Sequence, residues 1–181
     1  VITYNEEILC TIPFDVGLTG AVPSSPLLRL LSKMSEDEIE IGVHKGSVLV
    51  RGSRKEGGIK FDPTIELPFD QVPKPEKWKS LPVGFSDALS LAQGCCSSDD
   101  MHDGLRCVHL TKEFVEACDN VQACRVSMPF PLKSEAFLKQ ETVSCVADAK
   151  ASKIAEDGNW LHFKSENGCV LSCRRWQFKY P

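Results

Sequence analysis

One pattern occurs twice in this chain, about a hundred residues apart, a spacing far too long for a solenoid repeat. Helical periodicity, a strand, a glycine turn, a returning strand and one more strand run from Pro23 to Phe69 and again from Pro131 to Tyr180. The residues echo too: His44-Lys-Gly-Ser-Val-Leu-Val-Arg51 stands beside Glu166-Asn-Gly-Cys-Val-Leu-Ser-Cys-Arg174. A helix and strands that must share a core, repeated once, predict two similar α+β domains in tandem, with helices on one face of antiparallel sheets. The second repeat is preceded by another helix-plus-strands half. The first is not, as though its opening half lay upstream of Val1.

The clearest helix lies within Val22–Met34. Leu27, Leu30, Leu31 and Met34 fall at i, i+3, i+4 and i+7, which makes one apolar stripe. Ser25 before Pro26 reads as an N-cap followed by proline at the first helical position. The opposite face carries Arg29 and Lys33, four apart with no carboxylate between them. Such a pair is either a solvated face or one turned toward something anionic. A second stripe, Phe85, Ala88, Leu89 and Ala92, has an outer face of Ser86, Asp87, Ser90 and Gln93 with no cation. A third, short helix is expected from Ser134, burying Phe137 and Leu138 and exposing Lys133, Lys139 and Gln140.

Alternation predicts the strands. Ile8, Cys10, Ile12 and Phe14 share one side of the first; Ile39, Ile41 and Val43 share one side of the next, which Lys45-Gly46 turns into Val48–Val50. Arg51 to Gly58 reads as a basic, glycine-rich loop before a strand at Ile65, Leu67 and Phe69. Further strands are expected at 105–111, 114–118, 123–128, 143–149, 160–164 and 169–174, with Asn167-Gly168 turning the last pair. Prolines 68, 73, 75 and 82 mark an extended connection. The expected division is therefore 1–70 as a partial first domain, 71–82 as linker and 83–181 as the second domain.

Composition narrows the function. With 25 Asp+Glu against 21 Lys+Arg, no general basic surface advertises nucleic acid, although a local patch on an acidic body remains open. No apolar run approaches a membrane span. Nine cysteines are an odd number, and most sit inside strand patterns, which suggests a reducing cytosol and cysteine used as a small buried hydrophobe. Cys169 and Cys173 with His162 or His109 are the nearest approach to a zinc site, but lack the paired ligand spacing that zinc needs. No phosphate loop, nucleophile elbow or His-Glu-x-x-His appears. Cys95-Cys96 has no base at motif spacing, so neither catalytic residue nor cofactor is expected.

Residues spread through the chain resemble the bacterial β sliding clamp, the processivity ring of the replicative DNA polymerase, and especially phage or prophage forms of it. Val22-Pro23 followed by Leu27-Leu28 resembles the second helix of the clamp's first domain, and Pro82 with Phe85-Ser-Asp-Ala-Leu89 the first helix of its second. Phe114-Val-Glu-Ala-Cys-Asp119 with Arg125-Val-Ser-Met-Pro129 resembles the family's Ala-Thr-Asp-Gly-His-Arg-Leu strand pair. Leu171-Ser-Cys-Arg174 through Pro181 resembles the end of the second domain. The resemblance implies a cytoplasmic, homo-oligomeric ring whose helices line a hole for double-stranded DNA, with a third domain beyond Pro181. Arg29, Lys33, Lys133 and Lys139 would then touch phosphates from inner helices without reading sequence. It also implies a pocket for short peptides of polymerase and clamp loader, walled here by Cys118, Asn120, Val121, Gln122 and Ala123. Asp119 matches the family and fixes the turn. Val121, Gln122 and Ala123 replace the family's His, Arg and Leu, so peptide preference would differ. The alternative is a clamp-like adaptor or inhibitor that no longer encircles DNA, which the cation-free helix 85–93 and the altered pocket favour.

Overall fold

The computed structural model describes residues 1–65, 69–99, 102–178 and 180. These form two compact units, Val1 with Phe14–Pro68, and Ile2–Pro13 with Phe69–Pro181. Residues 2–13, which precede the first unit's helix in chain order, thus add two strands to the second unit's sheet.

In the first unit, α1 (Ser24–Leu31) accompanies a three-stranded antiparallel sheet of β3 (Glu40–His44), β4 (Ser47–Arg51) and β5 (Glu56–Lys60). Lys45 and Gly46 both have positive φ, +47° and +74°, the geometry that a two-residue hairpin turn requires. Val48, Val50 and Ile59 are the buried residues of this sheet. The helix starts two residues before the sequence reading, with Pro23 rather than Ser25 at the N-cap and no side-chain cap bond. Leu27, Leu30, Leu31 and Met34 are half-buried as expected from one stripe, while Leu28 is 71% exposed.

β5 lies where a loop was expected, and glycine explains both facts. A Cβ on Gly57 would come within 2.4 Å of Leu30 Cδ1, so the strand can approach α1 only where it has no side chain. Glycine there removes the apolar alternation by which a strand is read. The strand expected at 65–69 falls largely outside the described residues. At the base of the unit Ala21 and Asp62 exchange backbone hydrogen bonds. Gly20 before them has φ +146°, and a Cβ there would meet Phe61 and the Asp62 carbonyl oxygen.

The second unit has two antiparallel sheets with two helices between them and solvent. The first sheet runs β1 (Ile2–Tyr4), β2 (Ile8–Thr11), β13 (Val170–Arg174), β12 (Trp160–Lys164), β11 (Lys153–Asp157), β6 (Lys79–Ser80). The second runs β10 (Ala136–Lys139), β7 (Cys107–Leu110), β8 (Phe114–Cys118), β9 (Ala123–Ser127). α2 (Phe85–Gln93) buries Phe85, Ala88, Leu89 and Ala92, the stripe read from the sequence. α3 (Gln140–Asp148) packs beside it, and the Gln93 side chain donates to Ser144 Oγ and to the Gln140 carbonyl oxygen across the pair. The core joins these helices to both sheets. Phe85 is its centre, stacked on Phe130 at 5.0 Å and on Phe163 at 6.0 Å.

Two sequence expectations are corrected here. Residues 136–139 form strand β10, not a helix. The strand is buried on both faces, Ala136 and Leu138 toward the core and Phe137 against His109 at 4.3 Å, so it shows no alternation. Residues 143–148 belong to helix α3, with Ala149 as its C-cap, and not to a strand. Cys145, Ala147 and Ala149 imitate a period of two, but Thr142, Val143, Val146 and Ala147 are the buried set, which is the period of a helix. β11 went unread from the sequence. Lys133 and Lys139 consequently do not stand on a helix.

Candidate functional site

Arg29 and Lys33 are the cations that the structure keeps together. Arg29 is in the last turn of α1, and Lys33 follows in the turn that ends it, its N–H donating to the Leu30 carbonyl oxygen. Both are exposed, and with Pro26, Leu30, Gly58 and Ile59 they line a shallow depression of about 280 Å³. Neither has an ion-pair partner among the described residues. Spacing alone placed these two side by side, and the geometry agrees.

Lys133 and Lys139 are elsewhere and otherwise engaged. Lys139 Nζ sits 2.8 Å from Glu7 Oε1 and 4.2 Å from the centroid of the Trp176 ring. Its charge therefore fastens the N-terminal hairpin to the C-terminal segment. Lys133 lines a depression of about 450 Å³ with Lys74, Lys77 and Lys79, while its N–H donates to Glu156 Oε1 at 2.7 Å. Glu156 also faces Arg175 Nη1 at 3.7 Å in a nearly buried pair. Within the second unit Lys133 and Lys139 thus occupy two separate positions.

The β8–β9 turn carries Asn120, Val121, Gln122 and Ala123. Asp119 organises it: its Oδ1 accepts from the N–H groups of Val121 and Gln122, each at 2.7 Å. Those two donors also hold its carboxyl below the usual range. Gln122 Nε2 donates to the Gly94 carbonyl oxygen at 3.1 Å and ties the turn to the end of α2. Val121 is 94% exposed, Asn120, Gln122 and Ala123 are exposed, and Cys118 is half-buried. The turn is preorganised and presents an apolar side chain to solvent.

Beside it, on the outer face of the four-stranded sheet, is a cluster that sequence reasoning missed. His109 Nδ1 lies 2.8 Å from Glu116 Oε1 and its Nε2 lies 3.2 Å from Glu135 Oε2. Arg125 reaches Glu116 Oε2 at 2.6 Å. The C-terminal segment closes over this network, with Trp176 bridged to Phe137 and Tyr180 4.9 Å from His109. Alternation puts Glu116 on the same face of the strand Phe114–Cys118 as Phe114, and gives no sign that its carboxylate is buried.

The nine cysteines are free thiols. Burial pushes Cys96 and Cys107 up to about 12, which makes them poor nucleophiles. Among the described residues no group of three or more His, Cys, Asp or Glu could hold a metal ion, and no helix is long and apolar enough to cross a membrane.

No protein-family model and no curated protein matches this sequence. Solved structures match it well. The DNA polymerase III beta subunit of Thermotoga maritima superposes with a TM-score of 0.78 at 12% identity, over 99% of this chain and 54% of its own. The beta chain from Streptococcus pneumoniae TIGR4 gives 0.74 at 13%, over 99% and 54%. The Helicobacter pylori beta clamp, bound to a DNA ligase peptide, gives 0.74 at 11%, over 99% and 56%. This chain spans about half the length of the structures it matches, and it has their fold: tandem α+β clamp domains.

Proposed function

We propose that the chain is part of a DNA sliding clamp, a processivity factor that encircles duplex DNA and tethers a polymerase. The observation that carries this reading is the match of fold over 99% of the chain to DNA polymerase III beta subunits, although these share only 12–13% of its residues. On this reading the protein works by topology and catalyses nothing. Arg29 and Lys33 touch phosphates loosely and without sequence preference, since a ring that must slide cannot grip. Cys118, Asn120, Val121, Gln122 and Ala123 form one wall of the peptide site, for segments of polymerase and clamp loader. A homo-oligomeric ring and a cytoplasmic location go with the same reading, as does phage or prophage origin.

One observation favours a second reading, a clamp-like adaptor that no longer encircles DNA. Neither α2 nor α3 contains Lys or Arg, and their outer faces carry Asp87, Glu141 and Asp148. A duplex meeting that surface would meet carboxylates.

The deciding experiment loads the protein onto nicked circular duplex DNA with a clamp loader and measures retention before and after the circle is cut. A closed ring is retained on the circle and lost on linearisation. Equal retention on both forms indicates ordinary surface binding and overturns encirclement. Absence from both leaves the adaptor reading.

A further inference from the structure

The β4–β5 turn brings two more cations to the place where Arg29 and Lys33 lie. Lys55 Nζ donates to the carbonyl oxygen of Lys33, just past the last turn of α1. Carbonyls there have no partner within the helix and carry the negative end of its dipole, so an ammonium is favoured at this point. Glu36 fixes the turn from the other side. Its carboxylate accepts from Ser35 N–H at 2.9 Å, Ser53 Oγ at 3.3 Å and Arg54 N–H at 3.4 Å. Gly52 admits it, because a Cβ there would come within 2.8 Å of Glu36 Cδ.

The charges around this turn are unevenly matched. Arg51 is neutralised by Glu56 at 2.7 Å and Glu40 at 3.7 Å. Glu36 is occupied by the turn's own donors. Arg54 and Lys55 are exposed and, like Arg29 and Lys33, have no ion-pair partner among the described residues. Four cations without an ion-pair partner among the described residues, on a fixed turn and a helix end whose carboxylates Glu36, Glu40 and Glu56 are otherwise engaged, are suited to a run of phosphates rather than to a single anion.

We propose that Arg29, Lys33, Arg54 and Lys55 form one phosphate-contacting patch for duplex DNA, in which the β4–β5 turn works beside α1. The inference rests on the DNA-clamp reading and extends it to residues outside the helices. The patch holds the backbone and reads no base edge, so its contribution is independent of sequence and sensitive to salt.

The test is fluorescence anisotropy of a short labelled duplex titrated with the protein over a range of salt concentrations. Replacing Arg54→Gln with Lys55→Gln removes both charges, and the glutamine at 55 keeps a donor for the Lys33 carbonyl. Each lost phosphate contact lowers the steepness of log K against log salt by about 0.9, so the double variant is expected to lose about 1.8. Lys112→Gln with Lys153→Gln, two exposed lysines of the second unit, is expected to leave the slope unchanged. If Arg29→Gln with Lys33→Gln flattens the slope and the turn variant does not, the inference is overturned while the DNA reading stands. A wild-type protein with no salt-dependent binding overturns the patch, while retention on nicked circles decides the DNA-clamp reading separately.

Discussion

His162 has no exposed surface, on the face of β12 turned away from the Leu161–Phe163 core contacts. Its Nδ1 lies 2.8 Å from Ser172 Oγ and its Nε2 has no hydrogen-bond partner among the described residues. Protonation would leave an imidazolium N–H unpaired away from water, and burial accordingly lowers its pKa from 6.5 to about 4. A base whose folded pKa is depressed binds fewer protons folded than unfolded between those two values. Stability is therefore full above pH 6.5 and falls as pH drops toward 4, by about 3 kcal/mol in all. His162→Gln keeps a polar group for Ser172 and removes the titration. Denaturant midpoints measured at neutral pH and near pH 4 are expected to converge for the wild type and the variant at the acid end. An unchanged gap between the two would rule out His162 as the acid-sensitive group.

At the scale of elements, the helices differ in what their apolar stripes achieve. Leu89 of α2 is fully buried in the core, whereas the stripe of α1 is only half-buried and Leu28 beside it stands in solvent. Leu89→Ala is expected to cost about 2–5 kcal/mol by opening a cavity, and Leu28→Ala no more than about 0.5 kcal/mol, both read from denaturant unfolding. The stripes of α1 and α2 were legible because each helix buries one face and wets the other. The stretch 136–149 was not. Phe137 and Leu138 are buried on opposite faces of β10, and small residues at 145, 147 and 149 give α3 a false period of two. The candidate site followed the same rule. Arg29 and Lys33 were legible through helical spacing, and Asp119 through its turn chemistry. Lys139 was misplaced with its element, and the approach of Lys55 to Lys33, 22 residues away, leaves no mark in local sequence.

Over the whole molecule, acidic and basic residues nearly cancel, with a formal net charge of −4, so function depends on where the cations are placed. The first unit sets Arg29, Lys33, Arg54 and Lys55 at α1 and the β4–β5 turn, whereas α2 and α3 carry no Lys or Arg. If α2 and α3 face a duplex, they hold it at a distance, and added cations there should be felt at once. Ser90 and Asp148 are exposed and lie in the last turns of α2 and α3, where a lysine complements the helix dipole and leaves the fold intact. Ser90→Lys with Asp148→Lys is therefore expected to steepen the salt dependence of duplex binding by about 0.9 for each new contact. Retention on nicked circles should lengthen in parallel. A variant that folds as the wild type does, with the wild-type salt slope, would mean that these helices never meet the duplex. In that case their carboxylates are a surface for something else, and the adaptor reading becomes the better account of the fold.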